Sequence, residues 1–253
     1  MKNKLKEIIK NKSVALGFGI TIGHQEIVEI FSKSNIDFVV FDAQHSPLSI
    51  ETLQKLILHV DYSRLTPVIR VASNDPPSIC SALDIGALCV IIPMVNSKDD
   101  VLKAIKYARY PPQGLRSYGP RQAIFTDEYD YYRESFDEIL VFPMIETKEA
   151  VENIDDILSI DGVNGFFVGP SDLSLSLGIF NQFSSPLFEK TLGRIIEAAE
   201  RTETYPGIMG LIYEPEKIID MGFRMILITA DVILLRDSIF HTLDRFKFLK
   251  ERF

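Results

Sequence analysis

Two carboxylates stand at the ends of apolar runs: Glu146 closes ILVFPMIE and Asp172 follows GFFVGPS. Two such groups brought together repel each other and raise a pKa, unless a cation lies between them. Two carboxylates completed by water and substrate oxygens suit Mg²⁺ or Mn²⁺, which take hard oxygen ligands and retain water. Each also has a purely structural reading. Glu146 could be a charge favourable to the dipole of a helix in TKEAVENI, and Asp172 an N-cap in a Pro-Ser-Asp turn. Arg70 lies inside TPVIRVA with apolar neighbours on both sides. A guanidinium stays charged and is costly to bury alone, so it needs a substrate oxygen or a carboxylate such as Asp42 or Glu146. Among four histidines, only His45 directly follows an apolar run that carries an aspartate, in DFVVFDAQH. Asp42-x-x-His45 is therefore a candidate proton-transfer pair. His24 reads as a helix opener, and His59 and His241 fall at helical positions.

These residues need a frame to bring them together. Strand-like runs recur at 14–20, 37–43, 66–72, 88–94, 139–146, 165–170, 205–211 and 224–230. Between them lie amphipathic stretches such as HQEIVEIFSKSN, IETLQKLILHVDYS, DDVLKAIKYARY, EAVENIDDILSI and LFEKTLGRIIEAAERT. In EAVENIDDILSI, Val151, Ile154, Ile157 and Leu158 share one face of a 3.6-residue period. Strands alternating with helices pair in parallel, and eight such units predict a single-domain (β/α)8 TIM barrel over residues 1–253. An open doubly wound sheet is the alternative, but the glycines of GFGITIGHQE lack dinucleotide-fingerprint spacing. A barrel places functional side chains at the C-terminal ends of its strands, which would gather Asp42, His45, Arg70, Glu146 and Asp172 at one mouth. Residues 112–138 form a long connection whose aromatics (Tyr118, Phe125, Tyr129, Tyr131, Tyr132) suit a lid, a subunit contact or a helix packed on its own barrel. Residues 232–253 exceed one barrel helix and carry large apolar side chains, which predicts an oligomer contact.

Composition narrows the function class. Among 253 residues, 46% are hydrophobic and 25% charged, the balance of a globular chain. A net charge of −8 argues against nucleic acid, and the basic MKNKLKEIIKNK reads as a solvated first helix. No apolar run approaches the roughly 20 residues of a membrane span. Cys80 and Cys89 read as thiols of a reducing compartment. With no apolar h-region behind the basic start, the expectation is a cytoplasmic protein.

The motifs FVVFDAQHSPLS, VIRVASNDPPSICSALDIGALCVIIPMV, ARYPPQGLRSYGPRQA and PMIETKEAVENIDDI…GFFVGPSDLSLSLG resemble those of the HpcH/HpaI aldolase (citrate lyase-like) family. Members are metal-dependent class II aldolases that cleave 4-hydroxy-2-oxo acids to pyruvate and an aldehyde. The resemblance spans nearly the whole chain. It implies Glu146 and Asp172 as ligands of Mg²⁺, Mn²⁺ or Co²⁺, and His45 as the acid/base, acting through water on the 4-hydroxyl. It implies that Asp84 backs that histidine, that Asp42 orders the same cluster, and that Arg70 holds the 2-oxo oxygen and stabilises the enolate. Ser171 would offer its backbone N–H to the carboxylate, with Gly169 and position 144 also against the substrate. It further implies a homo-oligomer, a hexamer or trimer of dimers, with terminal helices exchanged or packed between subunits. Three positions depart from or vary within the pattern. Gln44 stands where Glu is frequent, Ser46 is the small residue after the histidine, and Met144 stands where a hydrogen-bonding Gln is frequent.

Three other readings compete. A Schiff-base aldolase needs a lysine of lowered pKa in an apolar strand, and no strand-like run contains one. A lyase of malyl- or citramalyl-CoA type needs a basic site for phosphates, for which the long connection offers Arg116, Arg121 and Arg133. A non-catalytic oxo-acid-binding barrel is favoured by Met144 and disfavoured by intact His45, Arg70, Glu146 and Asp172.

Overall fold

The computed structural model describes residues 2–121 and 127–252. Its strands are β1 (Ala15–Ile20), β2 (Phe38–Asp42), β3 (Thr66–Arg70), β4 (Cys89–Ile92), β5 (Leu140–Ile145), β6 (Gly165–Val168), β7 (Tyr205–Met209) and β8 (Met225–Ala230). Each pairs in parallel with its sequence neighbours, and β8 closes on β1, so the sheet is a closed eight-stranded barrel. Every strand-like run of the sequence supplies one of these strands.

The helices are α1 (Lys4–Lys10), α2 (Gln25–Lys33), α3 (Ile50–Ile57), α4 (Pro76–Asp84), α5 (Lys98–Ala108), α6 (Glu128–Glu138), α7 (Lys148–Glu152), α8 (Ile154–Leu158), α9 (Pro170–Ser176), α10 (Pro186–Thr202), α11 (Pro215–Asp220) and α12 (Asp231–Arg252). Most start on a side chain that accepts an orphan N–H: His24 caps α2, Ser49 caps α3, Asp75 caps α4, and Ser97 with Asp100 forms a capping box on α5. The single helix suggested by EAVENIDDILSI is split at Asn153, whose amide donates to the Asn96 carbonyl at 2.8 Å. Its apolar face is buried all the same.

Alternation along the strands sorts the core into two shells. Phe38, Val40, Val68, Ile91, Phe142, Met144, Phe167, Met225 and Leu227 fill the barrel interior. Ile69, Val90, Val141, Phe166 and Ile226 face outward under the helices. Leu5 of α1 joins the interior shell, while Lys6 pairs with Glu138 at 3.2 Å. The basic first helix is therefore a plug on the strand-start end and not only a solvated element. At the opposite end, the Asp231 carboxylate accepts from the Thr21 and Ile22 N–H groups at 3.0 and 2.9 Å, fastening the β8–β1 seam.

The connection from α5 to β5 also lies at the strand-start end, because α5 runs back along the barrel. There α6 packs Tyr131 beside Tyr110, and the Tyr132 hydroxyl donates to the Pro111 carbonyl at 2.9 Å. Among the described residues of this connection, what forms is a packed helical excursion at the strand-start end; Phe125 lies outside the described residues. No helix among the described residues is long and apolar enough to cross a membrane.

Candidate active site

Glu146 follows β5 directly and is 1% exposed. Its Oε1 accepts the Met94 backbone N–H at 2.7 Å. Met94, just beyond β4, holds φ at +54°, a left-handed conformation that costs a non-glycine residue about 1–2 kcal/mol. That turn aims its N–H at the carboxylate. Nothing in the sequence singles Met94 out, because the contribution is made by backbone. The other oxygen, Oε2, faces Gly169: a Cβ built there would lie 2.8 Å from Oε2 and 2.7 Å from the Met144 Cε. A side chain at 169 would collide with both, so the glycine is what lets the carboxylate and Met144 pack this close to the backbone.

Burial pushes the Glu146 carboxyl up from its usual range; the Met94 N–H opposes this, the Asp172 charge adds to it, and Arg70 and His45 oppose it. Asp172, Arg70 and His45 are therefore the side chains whose fields reach Glu146 across the mouth. Gly169 is the N-cap of α9 and Asp172 sits in its first turn, so Asp172 is not the cap itself. Glu146 likewise lies ahead of Thr147, which caps α7.

Asp42 and Arg70 are register partners on β2 and β3. Arg70 donates through Nε to Oδ1 at 2.9 Å and through Nη2 to Oδ2 at 2.6 Å, a bidentate pair. Asp42 Oδ1 also accepts the Gln44 and His45 N–H groups at 3.0 and 3.2 Å, fixing the chain as it leaves β2. Burial raises the Asp42 carboxyl, but the Arg70 hydrogen bond and charge, then these N–H groups, outweigh it and hold it below its ordinary range. The guanidinium is thus oriented by Asp42, with its Nη1 edge outside that pair. His45 is exposed at the mouth.

A cavity of about 80 Å³ lies under this cluster, lined by Arg70, Met144, Gly169, Ser171, Asp172, Met209 and Leu227 among others. A larger hollow of about 600 Å³ near Tyr62, Leu88 and Tyr131 holds none of the candidate residues.

Asp84 is not part of this mouth. It ends α4, which starts just beyond β3 and runs back to the start of β4, so Asp84 lies at the strand-start end. There it pairs with the buried Arg116 at 2.6 Å. Within one chain it does not back His45. Arg121 donates its N–H to the Asp84 carbonyl at 2.8 Å, and Arg133 pairs with Asp130. These arginines serve the strand-start end and offer the mouth no phosphate site. None of the strands carries a lysine.

Among the described residues, no three or more His, Cys, Asp or Glu side chains converge as a metal cluster. The donor set at the mouth is a pair of hard carboxylates. One is buried against another negative charge, and its second oxygen packs close to Gly169, which lines the small cavity. That set fits an oxygen-seeking divalent ion completed by water and substrate.

The family model described as HpcH/HpaI aldolase/citrate lyase matches residues 20–238. A 5-keto-4-deoxy-D-glucarate aldolase of Escherichia coli O157:H7 is 31% identical over 97% of each chain. An HpcH/HpaI aldolase/citrate lyase family protein from Burkholderia cenocepacia J2315 superposes with a TM-score of 0.92 at 25% identity, covering 97% of this chain and 100% of its own. The citrate synthase SbnG gives 0.88 at 28% identity, over 99% and 100% of the two chains. With the family model covering most of its length and a barrel that matches these structures end to end, the chain belongs to the HpcH/HpaI aldolase/citrate lyase family.

Proposed function

We propose that the chain is a divalent-metal-dependent aldolase that reversibly cleaves a 4-hydroxy-2-oxo acid to pyruvate, or a related oxo acid, and an aldehyde. The observation that carries this reading is Glu146, buried beside Asp172 with one oxygen held by the Met94 N–H and the other packed close to Gly169. Glu146 and Asp172 would hold Mg²⁺, Mn²⁺ or Co²⁺, which supplies Lewis-acid stabilisation of charge developing on the oxo oxygen.

The chain's own residues do the rest. Arg70, fixed by Asp42, presents preorganised positive charge to the 2-oxo oxygen. Ser171, at the start of α9, directs its N–H toward the substrate carboxylate. His45 takes the 4-hydroxyl proton, through water, as the C3–C4 bond breaks and its electrons pass into the enolate. The enolate is then protonated at C3 to give the oxo acid. Met144 cannot hydrogen-bond substrate, so this contact differs from that of a Gln-bearing site, and substrate preference follows it. A screen of pyruvate release over 4-hydroxy-2-oxo acids, with and without EDTA, tests the proposal: EDTA-sensitive release supports it. Release untouched by EDTA overturns it.

We also propose a homo-oligomer built through residues 232–253, of the hexamer or trimer-of-dimers kind. Val232, Leu235, Ile239, Leu243 and Phe246 form an exposed stripe at helical spacing along α12. The outer face of β8 and β1 is uncovered: Val14, Leu16, Leu211, Ile226 and Ile228 line an apolar groove of about 700 Å³. Stripe and groove each lack within one chain what the other would supply.

A further inference from the structure

The cavity under the candidate site has two kinds of wall. Arg70, Ser171 and Asp172 form a polar side, brought there by β3 and the first turn of α9. The opposing surface is apolar: Val40, Ile91, Met144, Phe167, Met209 and Leu227 reach it from β2, β4, β5, β6, β7 and β8. These side chains belong to the barrel's interior shell or pack against it, and none of them donates a hydrogen bond. Met144 is where the two walls meet. A Cβ at Gly169 would lie 2.7 Å from the Met144 Cε and 2.8 Å from the Glu146 Oε2, so the end of the thioether sits beside the carboxylate.

An oxo acid held by Arg70 at its 2-oxo oxygen and by the Ser171 N–H at its carboxylate uses the polar side for both functional groups. C3 is the carbon left without a polar partner. The aldehyde-derived half on C3 has to reach His45, which is not among the cavity's lining residues. The remaining position on C3 is the part of the substrate that the apolar surface suits. At about 80 Å³ the space is well below the roughly 150 Å³ that takes a benzene ring, and large enough for a methyl group. Two of its walls are methionines, whose unbranched chains repack around occupants of different size.

We propose that Met144 and Met209 are specificity-determining residues of a pocket for a short alkyl group on C3, so that the oxo acid released or consumed is 2-oxobutanoate as readily as pyruvate. This rests on the aldolase reading above. The test follows exchange of C3 protons for deuterium, with Mg²⁺ and no aldehyde, in pyruvate, 2-oxobutanoate and hydroxypyruvate, whose hydroxyl replaces the methyl of 2-oxobutanoate. In this exchange the C3–H electrons pass into the enolate, the proton leaves to water and a deuteron returns to C3. Above the enzyme-free rates, the wild type exchanges 2-oxobutanoate within about threefold of pyruvate in kcat/KM, and about tenfold or more better than hydroxypyruvate, whose hydroxyl finds no partner on the apolar surface. Met144→Gln adds a hydrogen-bonding amide and narrows the gap between 2-oxobutanoate and hydroxypyruvate about tenfold. Met209→Ala enlarges the pocket and raises 2-oxopentanoate relative to 2-oxobutanoate by about the same factor. A wild type that exchanges pyruvate but not 2-oxobutanoate, or hydroxypyruvate as well as 2-oxobutanoate, overturns the inference, as do unchanged ratios in both variants. Those results leave the aldolase reading standing, because pyruvate still exchanges. No exchange of any oxo acid removes that reading and this inference with it.

Discussion

Glu146 divides its two oxygens between fold and chemistry. The Met94 N–H holds one, and the other is left beside Gly169. Burial next to Asp172 makes the ionised form costly in the metal-free protein. Glu146→Gln keeps an acceptor for Met94 and removes the charge, so it should raise the Tm of metal-free protein by about 2–4 °C. The sign follows from a folded pKa above the ordinary 4.5: the cost is present above the raised value and fades as pH falls toward 4.5. Melts across pH check this, and a lowered Tm at neutral pH would contradict it. Asp42 behaves oppositely. Its carboxyl is held below the ordinary 3.8, so its contribution is fully present above that value and is lost as pH falls through the lower folded value. Asp42→Ala strands Arg70 without its partner and should cost about 3 kcal/mol in denaturant unfolding. The acid-side slope below pH 4 should flatten with it.

At the scale of elements, the connection from β6 into α9 is as important as the side chains it carries. Gly169→Ala puts a methyl against the Met144 Cε and the Glu146 Oε2. It should cost about 1–3 kcal/mol and weaken divalent-ion binding, read by denaturant unfolding and metal titration. Normal metal affinity in this variant would show that the glycine has no such use. The strands were legible because each is a short apolar run between amphipathic helices, and the strand-end rule then gathered Asp42, His45, Arg70, Glu146 and Asp172. Asp84 entered through the family resemblance and not through the strand-end rule. SALDIG reads the same whichever end of the barrel it occupies, and only the return direction of α4 sends it to Arg116. The break at Asn153 depends on a carbonyl distant in sequence, and Met94 acts through a backbone torsion that its side chain does not signal.

For the whole molecule, a barrel with an apolar groove on one outer face and a long helix carrying an exposed apolar stripe beyond it should not stay single. Leu235→Asp combined with Ile239→Asp should shift the mass seen by light scattering to that of one chain, with the far-ultraviolet spectrum of the barrel retained. An unchanged mass would place the contact elsewhere. The central claim is that the barrel mouth is a metal centre built on Glu146 and Asp172. Its most direct test is calorimetric titration of the metal-stripped protein with Mn²⁺, comparing the wild type with Glu146→Gln and Asp172→Asn. One site per chain, lost in both variants while each remains folded, is the predicted result. A wild type that binds no ion, or variants that bind it as tightly as the wild type, would contradict the account.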